Sequence, residues 1–329
     1  MVPDPISLLD VRDLRVRYAT SKGMVHAVDG VSLTLARGEV LAVVGESGSG
    51  KSVLARSVMG LERDVTTARL TGDVRFDDQP ILELGPRQRR ALWARRIGMV
   101  FQNPLTSLNP VLRVGDQIAE VLRVHRSLGR RAATERAAEL LAEVRIPSPR
   151  ARLRQYPHEL SGGMRQRVAI ALAVACEPDL LIADEPTTAL DVTVQRQVLD
   201  LLAQLTAEHG MATLLVTHDL GIAARYAHRT LVMYGGRVVE QGPADRLFDE
   251  ASHPYTRGLV RSIPRLTARR DEPLEPIGGR PPDPRALPPG CRFAPRCPMA
   301  EDRCRHDDPS LRPGPHTTVA CHLVGEVVA

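Results

Sequence analysis

The chain has 329 residues, 43% apolar and 25% charged, with a net charge of +5. That length suits one large domain with an appendage. The longest uninterrupted apolar run, Val168 to Cys176, has nine residues, and a membrane-spanning helix needs about 20, so no self-inserted span is expected. The opening MVPDPISLLD lacks a basic region followed by a hydrophobic stretch, which predicts a chain that stays in the cytoplasm. Its positive charge is scattered arginine rather than one basic run, and only 3% of residues are aromatic. Few platforms therefore exist for stacking on single strands, and nucleic acid is not an expected partner.

In chain order, residues 8–44 read as strands: alternating segments such as LLDVRDLRVRY and VSLTLA are separated by the turn-forming ATSKGM. VLAVVG, residues 40–45, has the continuous apolar pattern of a buried parallel strand. A helix is predicted from Lys51. Between about 103 and 160 a helical insert follows, in which Ala133, Ala137, Leu140, Leu141 and Val144 share one face. LLIAD and TLLVTHD then supply two more buried strands, each with a helix-compatible segment after it. Strands alternating with helices predict an α/β core with a parallel sheet. From about residue 264 the composition changes, because 13 of the 26 prolines and four of the five cysteines fall there. Such proline density excludes long helices and central strands, and predicts a loose extension or a small module held by something other than a hydrophobic core.

GESGSGKS, residues 45–52, matches the phosphate-binding loop pattern in full. Glycines 45, 48 and 50 let the backbone of Gly45, Glu46, Ser47, Gly48, Ser49 and Gly50 wrap phosphate oxygens with N–H groups inward. The next helix, starting at Lys51, Ser52 and Val53, presents its positive end to the anion. Lys51 can reach the outer phosphates, and the Ser52 hydroxyl can ligate magnesium. At the end of LLIADE, a buried strand delivers a carboxylate pair where open α/β sheets place their active sites. Asp184 suits magnesium, and Glu185 suits the orientation of an attacking water. Together these two motifs predict an NTPase.

LSGGMRQR, residues 160–167, is also a plausible helix start, with Ser161 as cap ahead of Gly162 and Gly163. With the two motifs above, it resembles the signature of the ATP-binding cassette family, with Met164 in place of the usual glutamine. The resemblance implies an ABC-type P-loop nucleotide-binding domain with a RecA-like core, an antiparallel β subdomain and a helical signature subdomain. Tyr18, 27 residues before the loop, matches the adenine-stacking aromatic, although a tyrosine ending a strand serves packing equally well. Gln102 in MVFQNP matches the glutamine that contacts magnesium and joins the insert. Asp191 in TTALD matches the loop between paired sites, and His218 the histidine that holds the γ-phosphate and the catalytic Glu185 in register.

In this family Ser161, Gly162, Gly163 and Met164 act on ATP bound by a partner subunit, so two cassettes close on two nucleotides. NPLTSLNPVLRVGDQI, YPHELSGGMRQRVAIA and HPYTRGL (residues 253–259) further resemble the oligopeptide/dipeptide importer subfamily, and GESGSGKSV with SGGM resembles its D-type ATPase. That resemblance implies a cassette over 1–262 and an extension over 263–329. It also implies a second, different ATPase, two permeases, an extracytoplasmic peptide-binding protein, and a place on the cytoplasmic face of the cell membrane. Relatives that carry nickel or other small solutes leave the cargo open.

Cys291, Cys297, Cys304 and Cys321 are separated by five, six and 16 residues, without the CxxC pairs of common zinc ribbons. Disulfides are not expected in a reducing compartment. Four cysteines in a proline-rich segment predict metal ligation, and an all-cysteine set suits a four-iron iron–sulfur (4Fe–4S) cluster, which some subfamily members carry. His306, His316 and His322 lie nearby and keep zinc as the alternative.

Overall fold

The computed structural model describes residues 7–103, 107–188, 190–263 and 277–324. Parts of the expected insert, the TTALD segment and the extension lie outside the described residues. The described strands are, in chain order, β1 (Ser7–Thr20), β2 (Gly23–Ala36), β3 (Val40–Val44), β4 (Ala68–Phe76), β5 (Gln79–Pro80) and β6 (Ile97–Val100). They continue with β7 (Leu180–Asp184), β8 (Ala212–Thr217), β9 (Arg229–Tyr234), β10 (Arg237–Pro243), β11 (Arg312–Pro313) and β12 (Thr318–Val319).

The chain divides into two compact units. One, here the P-loop unit, contains residues 8–34, 40–82 and 217–329; the other, the signature unit, contains 1–7, 35–39 and 83–216.

In the P-loop unit, β1 pairs antiparallel with β4, with a register shift between Arg12 and Arg15. The four-stranded sheet runs β2-β1-β4-β5. Alternation along β2 buries Val31 and Leu33 and leaves Ser32 between them exposed, as expected of a sheet with one wet face. The five residues of β3 are all buried, and β3 pairs parallel with β9. β9 then pairs antiparallel with β10, so this part of the sheet is mixed rather than purely parallel. The cause is local: the Gly235–Gly236 pair, both at positive φ, turns the chain tightly enough for a hairpin where a crossover helix would have kept it parallel.

In the signature unit, β6, β7 and β8 form parallel neighbours. The insert holds helices Val114–Arg126 and Arg130–Glu143, and the predicted stripe Ala133, Ala137, Leu140, Leu141 and Val144 is buried. Cys176 is core, as its place at the end of an apolar helix predicts.

The described extension has only short elements: a 3₁₀ turn at Ala294–Arg296, a five-residue helix at Asp302–His306 and the two-residue strands β11 and β12. It differs from expectation in what holds it. Phe293 is buried in one apolar cluster with Tyr234, Tyr255, Val44 and Val232, and Ile277, Cys291 and Cys297 pack on that cluster. β12 also adds to β10, with Glu240 opposite Val319. The extension thus borrows the core of its unit and adds one small cluster of its own, Val319 with Cys321 and Leu323. Among the described residues no helix is long and apolar enough to cross a membrane.

Candidate functional site

Strand β3 feeds directly into the glycine-rich loop. A Cβ on Gly45 would stand 2.2 Å from the Met233 carbonyl oxygen, and one on Gly50 2.2 Å from that of Ala27. Both glycines are therefore required by contact with the unit's own backbone. Helix Lys51–Val58 starts at Gly50 without a side-chain cap, which leaves its first N–H groups suited to an anion. Lys51 is 4% exposed, and its ammonium donates to the carbonyls of Gly45 at 2.7 Å and Glu46 at 3.0 Å. The Ser49 hydroxyl is buried without a hydrogen-bond partner, one orphaned polar group in a loop built to surround an anion.

Elsewhere in this unit Tyr18, near the end of β1, is half-buried, its hydroxyl donating to Glu62 at 2.6 Å. Arg56 binds the other oxygen of Glu62 at 2.6 Å. The tyrosine is thus tethered to the helix that follows the loop. His218 is exposed after β8, and the next residue, Asp219, caps helix Leu220–Tyr226 by accepting from the N–H groups of Gly221 and Ile222.

In the signature unit, buried β7 ends on Asp184, which is 3% exposed. Glu185 follows with φ of +46°, a left-handed backbone that a residue other than glycine adopts at a cost of about 1 kcal/mol or more. Its N–H donates to the Val216 carbonyl at 2.9 Å. Gln102 Nε2 at 3.0 Å and Thr188 Oγ1 at 2.9 Å both donate to the same carboxylate oxygen, Oε2. The strained turn and the two donors fix one carboxylate in one orientation, which is what alignment of a water requires.

Ser161 caps helix Gly162–Val174, its hydroxyl accepting from the N–H of Met164 at 3.3 Å. Ser161 and Gly162 are exposed. Asp191 caps helix Val192–His209 in the same manner, accepting from Val194 at 3.0 Å. The two helix starts touch: a Cβ on Gly163 would approach Val194 Cγ1 to 2.7 Å.

The family profile for ABC transporters matches residues 28–188, and that for the oligopeptide/dipeptide transporter C-terminal region matches residues 239–304. The oligopeptide transport ATP-binding protein OppD of Salmonella typhimurium is 48% identical over 97% of this chain and 95% of its own length. The dipeptide transport ATP-binding protein DppD of Bacillus subtilis is 46% identical over 96% and 94%. The chain belongs to the oligopeptide/dipeptide branch of the ABC transporter ATPases. Among solved structures, the dimeric post-hydrolysis state of the ATP-binding cassette MJ0796 with ADP and Pi matches with a TM-score of 0.65 and 28% identity, covering 72% of this chain and 98% of that one. CbiO1 of Clostridium perfringens, part of the cbiONQ transporter complex, matches at 0.62 and 31%, covering 74% and 91%.

The structure places this ABC ATPase's predicted residues in two sets. Gly45 to Val53, Tyr18 and His218 lie in the P-loop unit; Gln102, Asp184, Glu185, Ser161 to Met164 and Asp191 lie in the signature unit. Three further residues of interest went unpredicted. Thr188 grips Glu185, and its only sequence signal is a hydroxyl three residues beyond a carboxylate. Tyr255 accepts a hydrogen bond from the Glu46 N–H at 2.8 Å, and Arg296 pairs with the Glu46 carboxylate at 2.7 Å. Both couple to the loop across more than 200 positions of sequence, which no local pattern reveals.

The expected iron–sulfur or zinc centre is not supported. Among the described residues no group of three or more His, Cys, Asp or Glu side chains is arranged to hold a metal ion. Three of the cysteines are accounted for by apolar packing: Cys291 and Cys297 lie against the aromatic cluster around Phe293, and Cys321 packs with Val319 and Leu323. Burial pushes the Cys291 and Cys297 thiols up.

Proposed function

We propose that this chain is the ATP-hydrolysing subunit that energises import of di- and oligopeptides across the cytoplasmic membrane. The observation that carries the reading is the union, in one chain, of a complete set of cassette motifs with the C-terminal region characteristic of oligopeptide/dipeptide transporters. In this reading the cassette spans 1–262 and the extension 263–329. The subunit sits on the cytoplasmic face of the membrane, docked on two permeases beside a second, non-identical ATPase, and an extracytoplasmic binding protein delivers the peptide.

ATP is the substrate. Loop amides, Lys51 and the helix start bind its phosphates, Tyr18 faces the base, and His218 senses the γ-phosphate. Ser52, Gln102 and Asp184 each offer an oxygen of the kind magnesium takes. Gln102 fits because its Nε2 is engaged by Glu185, so its amide oxygen is the atom it offers. When bound, magnesium neutralises charge on the β- and γ-phosphates. Glu185, steadied by Gln102 and Thr188, orients the attacking water, while Ser161 to Met164 and Asp191 serve the site of the partner ATPase. The four cysteines carry no step.

The test is uptake in cells lacking this chain, restored with wild type or Glu185→Gln and supplied with labelled di- to pentapeptides and labelled nickel. Peptide uptake is expected to return with wild type alone. Return of nickel uptake without peptide uptake would overturn the cargo while leaving the motor role intact.

A further inference from the structure

The C-terminal extension meets the phosphate-binding loop and the turn beside it through two arginines that flank Phe293. Arg292 reaches the Gly235 carbonyl and the Asp29 carboxylate. That places it on the tight turn whose next residue, Gly236, donates its N–H to the Ser49 carbonyl at 3.0 Å. Arg296 reaches the loop directly. Its Nη1 and Nη2 donate to the two oxygens of Glu46 at 2.7 and 3.0 Å. The remaining N–H groups go to Tyr234 Oη at 3.2 Å, the Ile277 carbonyl at 3.2 Å and the Gly278 carbonyl at 2.8 Å.

Every donor of that guanidinium is therefore used, and its side chain is 4% exposed. It also lies over the rings of Tyr234 and Phe293, at 5.7 and 5.9 Å. Tyr255, from the HPYTRGL segment, takes the Glu46 N–H from the other side, and its ring meets Tyr234 and Phe293 at 4.6 and 5.4 Å. Residue 46 is gripped at both its main chain and its side chain.

Such a pair is a poor device for stability alone. Desolvating a guanidinium and a carboxylate costs about what their attraction returns, and apolar side chains of the same volume would hold the extension as well. What the pair does specifically is neutralise a carboxylate that belongs to a loop meant to receive a triphosphate. Left unpaired, Glu46 would repel the incoming phosphates.

We propose that Arg296 is a positioning residue for nucleotide binding, through which the C-terminal extension holds Glu46 neutralised and the phosphate loop open to ATP. The proposal rests on the ATPase reading above and deepens it: the extension becomes a lever on the affinity of the P-loop unit for ATP.

The test is steady-state ATP hydrolysis by the full chain in its reconstituted transporter, at two ionic strengths, for Arg296→Ala, Arg296→Lys and Arg296→Ala/Glu46→Gln. Arg296→Ala is expected to raise KM for MgATP about tenfold or more with a much smaller change in kcat. Adding salt should narrow that gap, since screening weakens the repulsion of phosphate by an unpaired carboxylate. Arg296→Lys, which keeps the charge but loses the fork, should fall between. Removing the carboxylate in the double variant should recover most of the affinity.

An unchanged KM in Arg296→Ala would overturn the proposal. So would a loss that salt and Glu46→Gln both fail to relieve, because that pattern belongs to a damaged fold, which thermal unfolding of the same preparations would register. If the wild-type transporter hydrolysed no ATP, the motor reading itself would fall, and the two failures are separate.

Discussion

Glu185 occupies the position where local energy and chemistry conflict most openly. A left-handed backbone at a glutamate is unfavourable, yet the turn is fixed by its N–H bond to Val216 and by Gln102 and Thr188 on Oε2. The strain is the local cost of aiming the carboxylate away from the strand that delivers it. Glu185→Gln keeps the volume and one acceptor oxygen but loses the charge. Its kcat for ATP is expected to fall about 100- to 10,000-fold, while nucleotide affinity changes little, as measured by hydrolysis and equilibrium binding on one preparation. A loss confined to affinity would place Glu185 in binding rather than in the hydrolytic step. The carboxylate itself was legible as the end of LLIADE. Its partner Thr188 was not, because three-residue turns depend on a backbone geometry that side-chain types do not encode.

Among the elements, two helix starts of the signature unit each begin with a side chain accepting a backbone N–H: Ser161 from Met164 and Asp191 from Val194. Gly163 permits these starts to abut, since any side chain there would meet Val194. Asp191→Ala is expected to lower stability by about 1 kcal/mol, with Asp191→Asn close to wild type, both read from the urea midpoint. Equal losses in the two variants would mean that charge, not the cap, is what the helix uses. The Ser161 cap and the buried stripe of the insert were readable from sequence, because both are interactions within one or two turns; the Asp191 cap was not predicted. The antiparallel β9–β10 hairpin was not predicted: two apolar runs joined by a glycine pair look the same whether the next strand returns beside the first or crosses over.

For the molecule as a whole, the P-loop unit closes on itself through polar groups taken from distant parts of the chain. Buried Glu240 on β10 accepts from the N–H groups of Ser252 and His253 at 2.7 and 3.0 Å and from the extension's Thr317 hydroxyl at 2.6 Å. His253 accepts from Tyr255 at 3.0 Å, and burial pushes its imidazole down to about 3. A ring kept neutral in the native state but protonated near 6.5 in the unfolded chain gives the unfolded chain the greater proton uptake between those values. Its contribution is complete above about pH 6.5 and is lost progressively as the pH falls toward 3. His253→Asn retains a helix-capping acceptor without a titrating ring, so its denaturation midpoint should fall less steeply than that of wild type between pH 7 and 4. Parallel curves would show that the imidazole does not control acid stability.

The sequence by itself determined the phosphate loop, the carboxylate pair, the signature and the family. These reside in contiguous residues whose chemistry is set by type and spacing, and the strand–loop–helix context follows from a short apolar run ended by glycine. Tertiary structure alone decided how the cysteines are used and what holds the extension. Four thiols in a proline-rich segment suggested ligands, but Cys291 and Cys297 pack on the cluster of Phe293, Tyr234 and Tyr255, and Cys321 packs with Val319 and Leu323. It also decided that an arginine between two of those cysteines would close on a glutamate 250 residues earlier, since a long-range ion pair depends on where the fold brings two charges and leaves no periodicity to read.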